Sequence, residues 1–236
     1  MIACSICHSE NHHLAIVCTS CGSFLQTKID NLDLFTTIGT IIENPRKAFH
    51  KIAIAQHKNY MVFLSAIFGI GLIFFIYWLI NIGEYFDKLL NILASGFFTG
   101  PFVGIITVVF FSVILVIIAR ILKIRVKLRN TMAVIAYALI PIVLSVILVL
   151  PIEILTFGTF FFTKNPSPLL LKPASYIVLL GLDGMFIMWS FILLTIGAKV
   201  LFEANWQTVS FILITSLAIT STVTFWLLQF LFYRLI

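Results

Sequence analysis

The sequence predicts an all-α fold, a five-helix transmembrane bundle preceded by a small cytoplasmic Cys4 zinc ribbon. Three observations predict it. Of the 236 residues, 61% are hydrophobic and only 10% are charged, a composition that excludes a water-soluble core. From Tyr60 onward the chain is almost continuously apolar, in stretches that match the ~20 residues needed to cross ~30 Å of hydrocarbon. Ahead of them, Cys4, Cys7, Cys18 and Cys21 form two Cys-x-x-Cys pairs.

The chain divides into a zinc ribbon at 1–25, a linker with a basic amphipathic helix at 26–58, and a transmembrane domain at 59–236. Spans are expected at about 60–82, 97–122, 131–150, 174–200 and 206–233, since backbone in lipid must satisfy its own hydrogen bonds. Met1 leads straight into the cysteine pairs with no basic and apolar leader, so no signal peptide is expected.

The cysteine pairs carry the clearest chemistry. Each pair fits a tight turn that aims two thiolates at one point, and the ten residues between pairs allow a short hairpin to join the turns. Gly22 follows Cys21 where the backbone of such a turn needs a left-handed residue. So short a piece has no core, and a bound zinc would supply its folding energy. Four free cytosolic thiols or an iron–sulfur cluster are the alternatives. His8, His12 and His13 are possible substitute ligands, less suited than the four cysteines. Four thiolates leave zinc no open position, so the site is structural, not catalytic.

In the linker, Asn44 reads as an N-cap and Pro45 as the first helical residue. Phe49, Ile52 and Ala53 share one face and Arg46, Lys47, His50 and Lys51 the other, as in a helix lying on the cytoplasmic leaflet. Charge sets the orientation. Lys28, Arg46, Lys47, Lys51, Lys58, Arg120, Lys123, Arg125, Lys127, Arg129 and Lys199 fall on one side of a five-span chain, and Lys88, Lys164, Lys172 and Arg234 on the other. Eleven cations against four place the N-terminus in the cytoplasm, in the inner membrane if the chain is prokaryotic. Thiolate zinc needs the same reducing side, by an argument that shares no residue with the first. Lys123, Arg125, Lys127 and Arg129 alternate with Ile124, Val126 and Leu128, an extended or interfacial link. With Arg46, Lys47 and Lys51 these cations are candidate contacts for anionic lipid or a protein partner. The formal charge of +6 is thereby explained, and nucleic acid is not expected as a partner.

Two acids lie within the spans. Asp183 falls about eight residues, or about 12 Å, inside span four, and Glu153 near the outer end of span three. They form a possible intramembrane polar site for protons or ions. The plainer expectation is that the outer link dips inward, so that both are wetted or pair with Lys164 or Lys172. Trp189, Trp206 and Trp226 read as packing or interface residues, and Pro141, Gly69, Gly71, Gly104 and Gly197 as kinks or close-packing points. The membrane part holds no hydrolase elbow, phosphate loop or His-Glu-x-x-His pattern, so no enzyme is expected.

The run Asn44-Pro45-Arg46-Lys47-Ala48-Phe49 resembles the lead-in of prokaryotic members of the Yip (Ypt-interacting protein) domain family. Ala136-Tyr137-Ala138-Leu139-Ile140-Pro141 resembles that family's Tyr-x-x-x-Pro segment, Trp189 fits its aromatic position, and the resemblance runs from about Glu43 to Phe232. It implies a five-span membrane protein without known catalysis, sometimes preceded by a zinc ribbon. Eukaryotic relatives act in vesicle trafficking and bind small GTPases through an acidic N-terminal region that this chain lacks. The functional expectation is a non-enzymatic membrane adaptor or scaffold with a zinc-organised recognition module, tied to membrane organisation or trafficking. The alternative is a small transporter or channel subunit using Asp183.

Overall fold

The computed structural model describes residues 1–26, 29–86 and 88–235, with the backbone alone for Phe225 and for residues 227–235. Lys28 and the side chain of Arg234, both counted in the charge asymmetry, lie outside the described residues. Strand β1 (Ile2–Ala3) pairs antiparallel with β2 (Glu10–Asn11), and α1 (Leu34–Glu43) and α2 (Pro45–Ile54) follow. The apolar part runs through α3 (Met61–Leu79), α4 (Leu89–Ile121), α5 (Leu128–Ala138), α6 (Ile140–Phe157), α7 (Pro168–Leu171), α8 (Pro173–Phe202) and α9 (Trp206–Leu235). Among the described residues five segments are long and apolar enough to cross a membrane: Met61–Leu79, Leu89–Ile121, Leu128–Phe162, Pro173–Phe202 and Trp206–Thr224.

The third of these is broken. Pro141 has no N–H, and the helix stops at Ala138 and restarts at Ile140. The Ile142 amide, near the start of α6, donates instead to Ser190 Oγ of α8 at 3.3 Å. Just before the break, the fully buried Tyr137 donates to the carbonyl of Asn59 at 2.7 Å and so fixes the loop that leads into α3. The Tyr-x-x-x-Pro pattern thus supplies a tether and a break. Pro151 does not end α6, which runs to Phe157. Gly158, at φ +58°, turns the chain, and a short 3-10 helix, Gly158–Phe162, buries Phe161 and Phe162 in the bundle. The outer link therefore starts later than Pro151.

Helices α3 and α4 approach as closely as backbones allow. A Cβ at Gly69 would stand 2.0 Å from the Gly100 carbonyl oxygen, and one at Gly104 would stand 2.1 Å from that of Ser65. Gly96, Gly100 and Gly104 recur every four residues of α4, the small-residue stripe by which membrane helices pack when water cannot drive them together. Gly96 receives the Phe74 ring.

The apolar face of α2 meets protein rather than lipid. Phe49 and Ile52 are fully buried, Ala53 nearly so, and the Phe49 ring faces Gly197 of α8, where a Cβ would come within 3.1 Å of it. The bundle offers its apolar end, packed by α5 and α8, and burying Phe49 there removes more surface from water than half-immersion in lipid would. The neighbouring helix α1, capped by Asp33 through a 2.9 Å bond from the Thr36 amide, leaves Phe35 and Ile42 exposed instead.

The glycine contact yields a prediction. Gly104→Ala should lower thermal stability in detergent, at a cost of about 1–3 kcal/mol, because neither facing backbone can yield. Gly181→Ala, whose Cβ meets open space, should leave the melting temperature unchanged or raise it.

Candidate metal centre and intramembrane cavity

The N-terminal module is two copies of one turn, fourteen residues apart. In each, Cys-x-x-Cys is followed by a left-handed residue and then a serine: His8 (φ 56°) and Ser9, then Gly22 (φ 73°) and Ser23. The amide after the second cysteine bonds back to the carbonyl of the first, His8 to Cys4 at 3.0 Å and Gly22 to Cys18 at 3.1 Å. Ala3 pairs with Glu10 and, at the equivalent place, Val17 bridges Phe24. The buried Asn11 ties the copies together, donating to the Ser9 carbonyl at 2.9 Å and accepting from the Thr19 amide and hydroxyl at 3.0 Å.

This geometry brings the four sulfurs within 4.8 Å of one another, with Cys7 and Cys18 at 3.5 Å and Cys4 and Cys21 at 3.6 Å. A tetrahedral ion with metal–sulfur bonds of about 2.3 Å would hold its ligands roughly 3.8 Å apart, so the cluster fits one metal ion. Serine hydroxyls flank it. Ser9 Oγ is 3.0 Å from Cys7 Sγ and 3.1 Å from Cys18 Sγ, and Ser23 Oγ is 3.1 Å from both Cys4 and Cys21. The Ser9 hydroxyl, with the Cys21 amide, lowers the Cys18 thiol to about 5, and the Ser23 hydroxyl lowers that of Cys4 to about 7. Thiolates favoured in this way are the form a metal binds. His8 and His12 are not in the cluster.

His13 does other work. Its Nε2 donates to the Val200 carbonyl at 3.1 Å, and its Nδ1 lies 2.9 Å from Glu203 Oε2. In the neutral ring that nitrogen has no proton to give and makes no hydrogen bond; in the imidazolium it becomes an ion pair. Burial pushes the ring below its usual range, while Val200 and Glu203 pull the other way. Glu203 also receives the Met1 ammonium at 3.3 Å. It sits just past α8 in a left-handed conformation (φ 50°), so the metal module is seated on the α8–α9 turn.

The same end of the bundle collects the cations. Lys123, with φ 62°, closes α4, and the extended link after it turns Ile124 and Val126 toward the core. Lys123, Arg125, Lys127 and Arg129 are exposed there, as are Arg46, Lys47 and Lys51 of α2. Lys58 is the exception. It is buried and caps α2 through the carbonyls of Ile52 and Ala53, with the second bond at 2.7 Å. Desolvation first, then the charges of Arg129 and Lys127, lower it to about 8.

Inside the bundle, Glu153 of α6 and Asp183 of α8 line the same cavity, and Ser145 donates to Asp183. Neither acid pairs with Lys164 or Lys172. The Lys164 amide binds Glu84 and the Lys172 ammonium binds the Thr156 carbonyl. The two acids face a cavity of about 650 Å³, within the range of small-molecule sites, lined from α3, α4, α5, α6, α8 and α9 and by Phe161.

The structure is thus a polytopic helical membrane protein with a four-cysteine module able to hold a metal ion. The family model described as Yip1 domain matches residues 38–228, and the chain belongs to that family. The metal module precedes the matched region. Comparison with curated proteins and with solved structures found no match.

Sequence reasoning missed Ser9, Ser23 and Glu203. The serines were visible as a Cys-x-x-Cys-x-Ser repeat; Glu203 carried no local signal. Ser9→Ala should weaken metal binding about tenfold, as loss of an outer hydrogen bond to a ligand does. The Cys18 thiol would rise, so protons should displace the metal at a higher pH than in wild type. Chelator-monitored metal release along a pH series would measure the shift.

Proposed function

We propose that this protein is a non-enzymatic membrane adaptor whose recognition surface is the metal-organised end of the bundle. The ion is zinc, held by Cys4, Cys7, Cys18 and Cys21. The observation that carries the reading is the seating of the four-cysteine module on Glu203 and Val200, beside the exposed cations of α2 and of the α4–α5 link. A closed thiolate site offers a substrate no coordination position, while a fixed module presents a rigid surface. The module lies in the cytoplasm, supported by the cation asymmetry and by thiolate chemistry. Lys123, Arg125, Lys127, Arg129, Arg46, Lys47 and Lys51 hold anionic lipid or an acidic protein face there.

The cavity at Asp183 favours a second reading, a small transporter or channel subunit, because a packed adaptor bundle has no need of it. Crosslinking and pull-down from native membranes separate the two. Partners captured by wild type should be lost with Cys18→Ser and kept with Asp183→Asn. Retention with Cys18→Ser, together with a phenotype confined to Asp183→Asn, would make transport the leading account. Reporter fusions after Leu25 and after Ile236 should report opposite compartments, and agreement between them would overturn the five-span topology.

A further inference from the structure

Two independent features coincide inside the bundle. The first is shape. The cavity is walled by α8 from Leu180 to Leu194, about 21 Å of helix, and is faced by the rings of Phe74, Phe75, Trp78, Phe111 and Phe191. The second is charge. Glu153, 3% exposed, and Asp183 open onto it, and no Lys, Arg or His does so among the described residues. Asp183 lies ten residues into α8, about 15 Å from Pro173, too deep for a headgroup or outer lysine to neutralise.

Among the described residues, the chain meets this charge with the Ser145 hydroxyl on Asp183 and with no basic side chain. Intramembrane acids commonly find a basic partner. A cation inside the cavity would pair with the carboxyls, and the ring faces around it would add cation–π attraction. An apolar body attached to that cation would fill the remaining space, which polar groups cannot.

We propose that this cavity is a binding site for lipophilic cations, molecules with one positive charge on an apolar body, seated with the charge against Asp183 and Glu153. The inference concerns binding and goes beyond the adaptor reading. It holds equally for an adaptor that responds to a ligand and for a carrier.

The test is equilibrium binding to the full chain in nanodiscs of zwitterionic lipid. Tetraphenylphosphonium and tetraphenylborate share shape and differ in the sign of charge. The phosphonium should bind saturably, one per chain, at least tenfold tighter than the borate. Equal binding of the two overturns the proposal, and this comparison needs wild type alone. Asp183→Asn and Glu153→Gln, where they elute as wild type, should each weaken phosphonium binding tenfold or more and spare the borate. Undiminished phosphonium binding in both variants also overturns it. Hexadecyltrimethylammonium, below its micellar concentration, distinguishes the source. Competition stronger than that of unlabelled phosphonium supports a single-chain, lipid-like amine, and weaker competition supports a compact aromatic cation. Binding without flux in liposomes supports the inference while removing the carrier reading.

Discussion

Every polar group that leaves water must find its partner within the chain, and this structure is arranged around that constraint. Helices answer it for most of the backbone. Where a helix fails at Pro141, Ser190 of another span takes the Ile142 amide. Where α2 ends inside the protein, the Lys58 ammonium takes two of its carbonyls. Where a tyrosine is buried beside the break, its hydroxyl reaches the Asn59 carbonyl. The serine and the tyrosine reach partners far along the chain, so those two bonds also fix tertiary structure.

Apart from the His13 ring, two places stand out, because protein atoms answer the constraint there only in part. The acid pair has Ser145 but no cation among the described residues. The four thiols have two serine hydroxyls, the Ile6 and Asn11 amides and one another, but no cation among the described residues. A group whose needs the chain meets incompletely is where an external ligand gains most. The two places lie at different depths. The thiols sit at the end that carries the basic α2 and α4–α5 surface, and the acids sit toward the opposite end, within the apolar region.

The fold class was legible because its signals are strong and local. Five apolar stretches and two cysteine pairs survive any error of boundary, and short motifs at Tyr137 and Pro141 pointed to the family that the match over residues 38–228 shows. What was not legible depends on contacts between distant residues. Phe49, Ile52 and Ala53 have the spacing of an interfacial helix, and amphipathicity alone does not say whether the apolar face meets lipid or protein. Only the open face of Gly197 on α8 decides it. Glu153 and Asp183 were each visible as buried charge, but their meeting at one cavity depends on how α6 and α8 pack. The glycine stripe of α4 was in the sequence throughout. Gly104 was legible as a close-packing point, and its four-residue spacing with Gly96 and Gly100 is what reveals a packing face.

The central claim is that a metal ion completes the N-terminal module and fixes a recognition surface on the bundle. A module this short buries too little to fold unaided, and a structural thiolate site contributes about 10 kcal/mol or more of binding free energy to folding. The most direct measurement is elemental analysis of protein purified without added metal. It should give one equivalent of zinc per chain, lost in a Cys18→Ser variant that retains its transmembrane helices. Less than about half an equivalent in intact wild type, or the same content in the Cys18→Ser protein, would contradict the account.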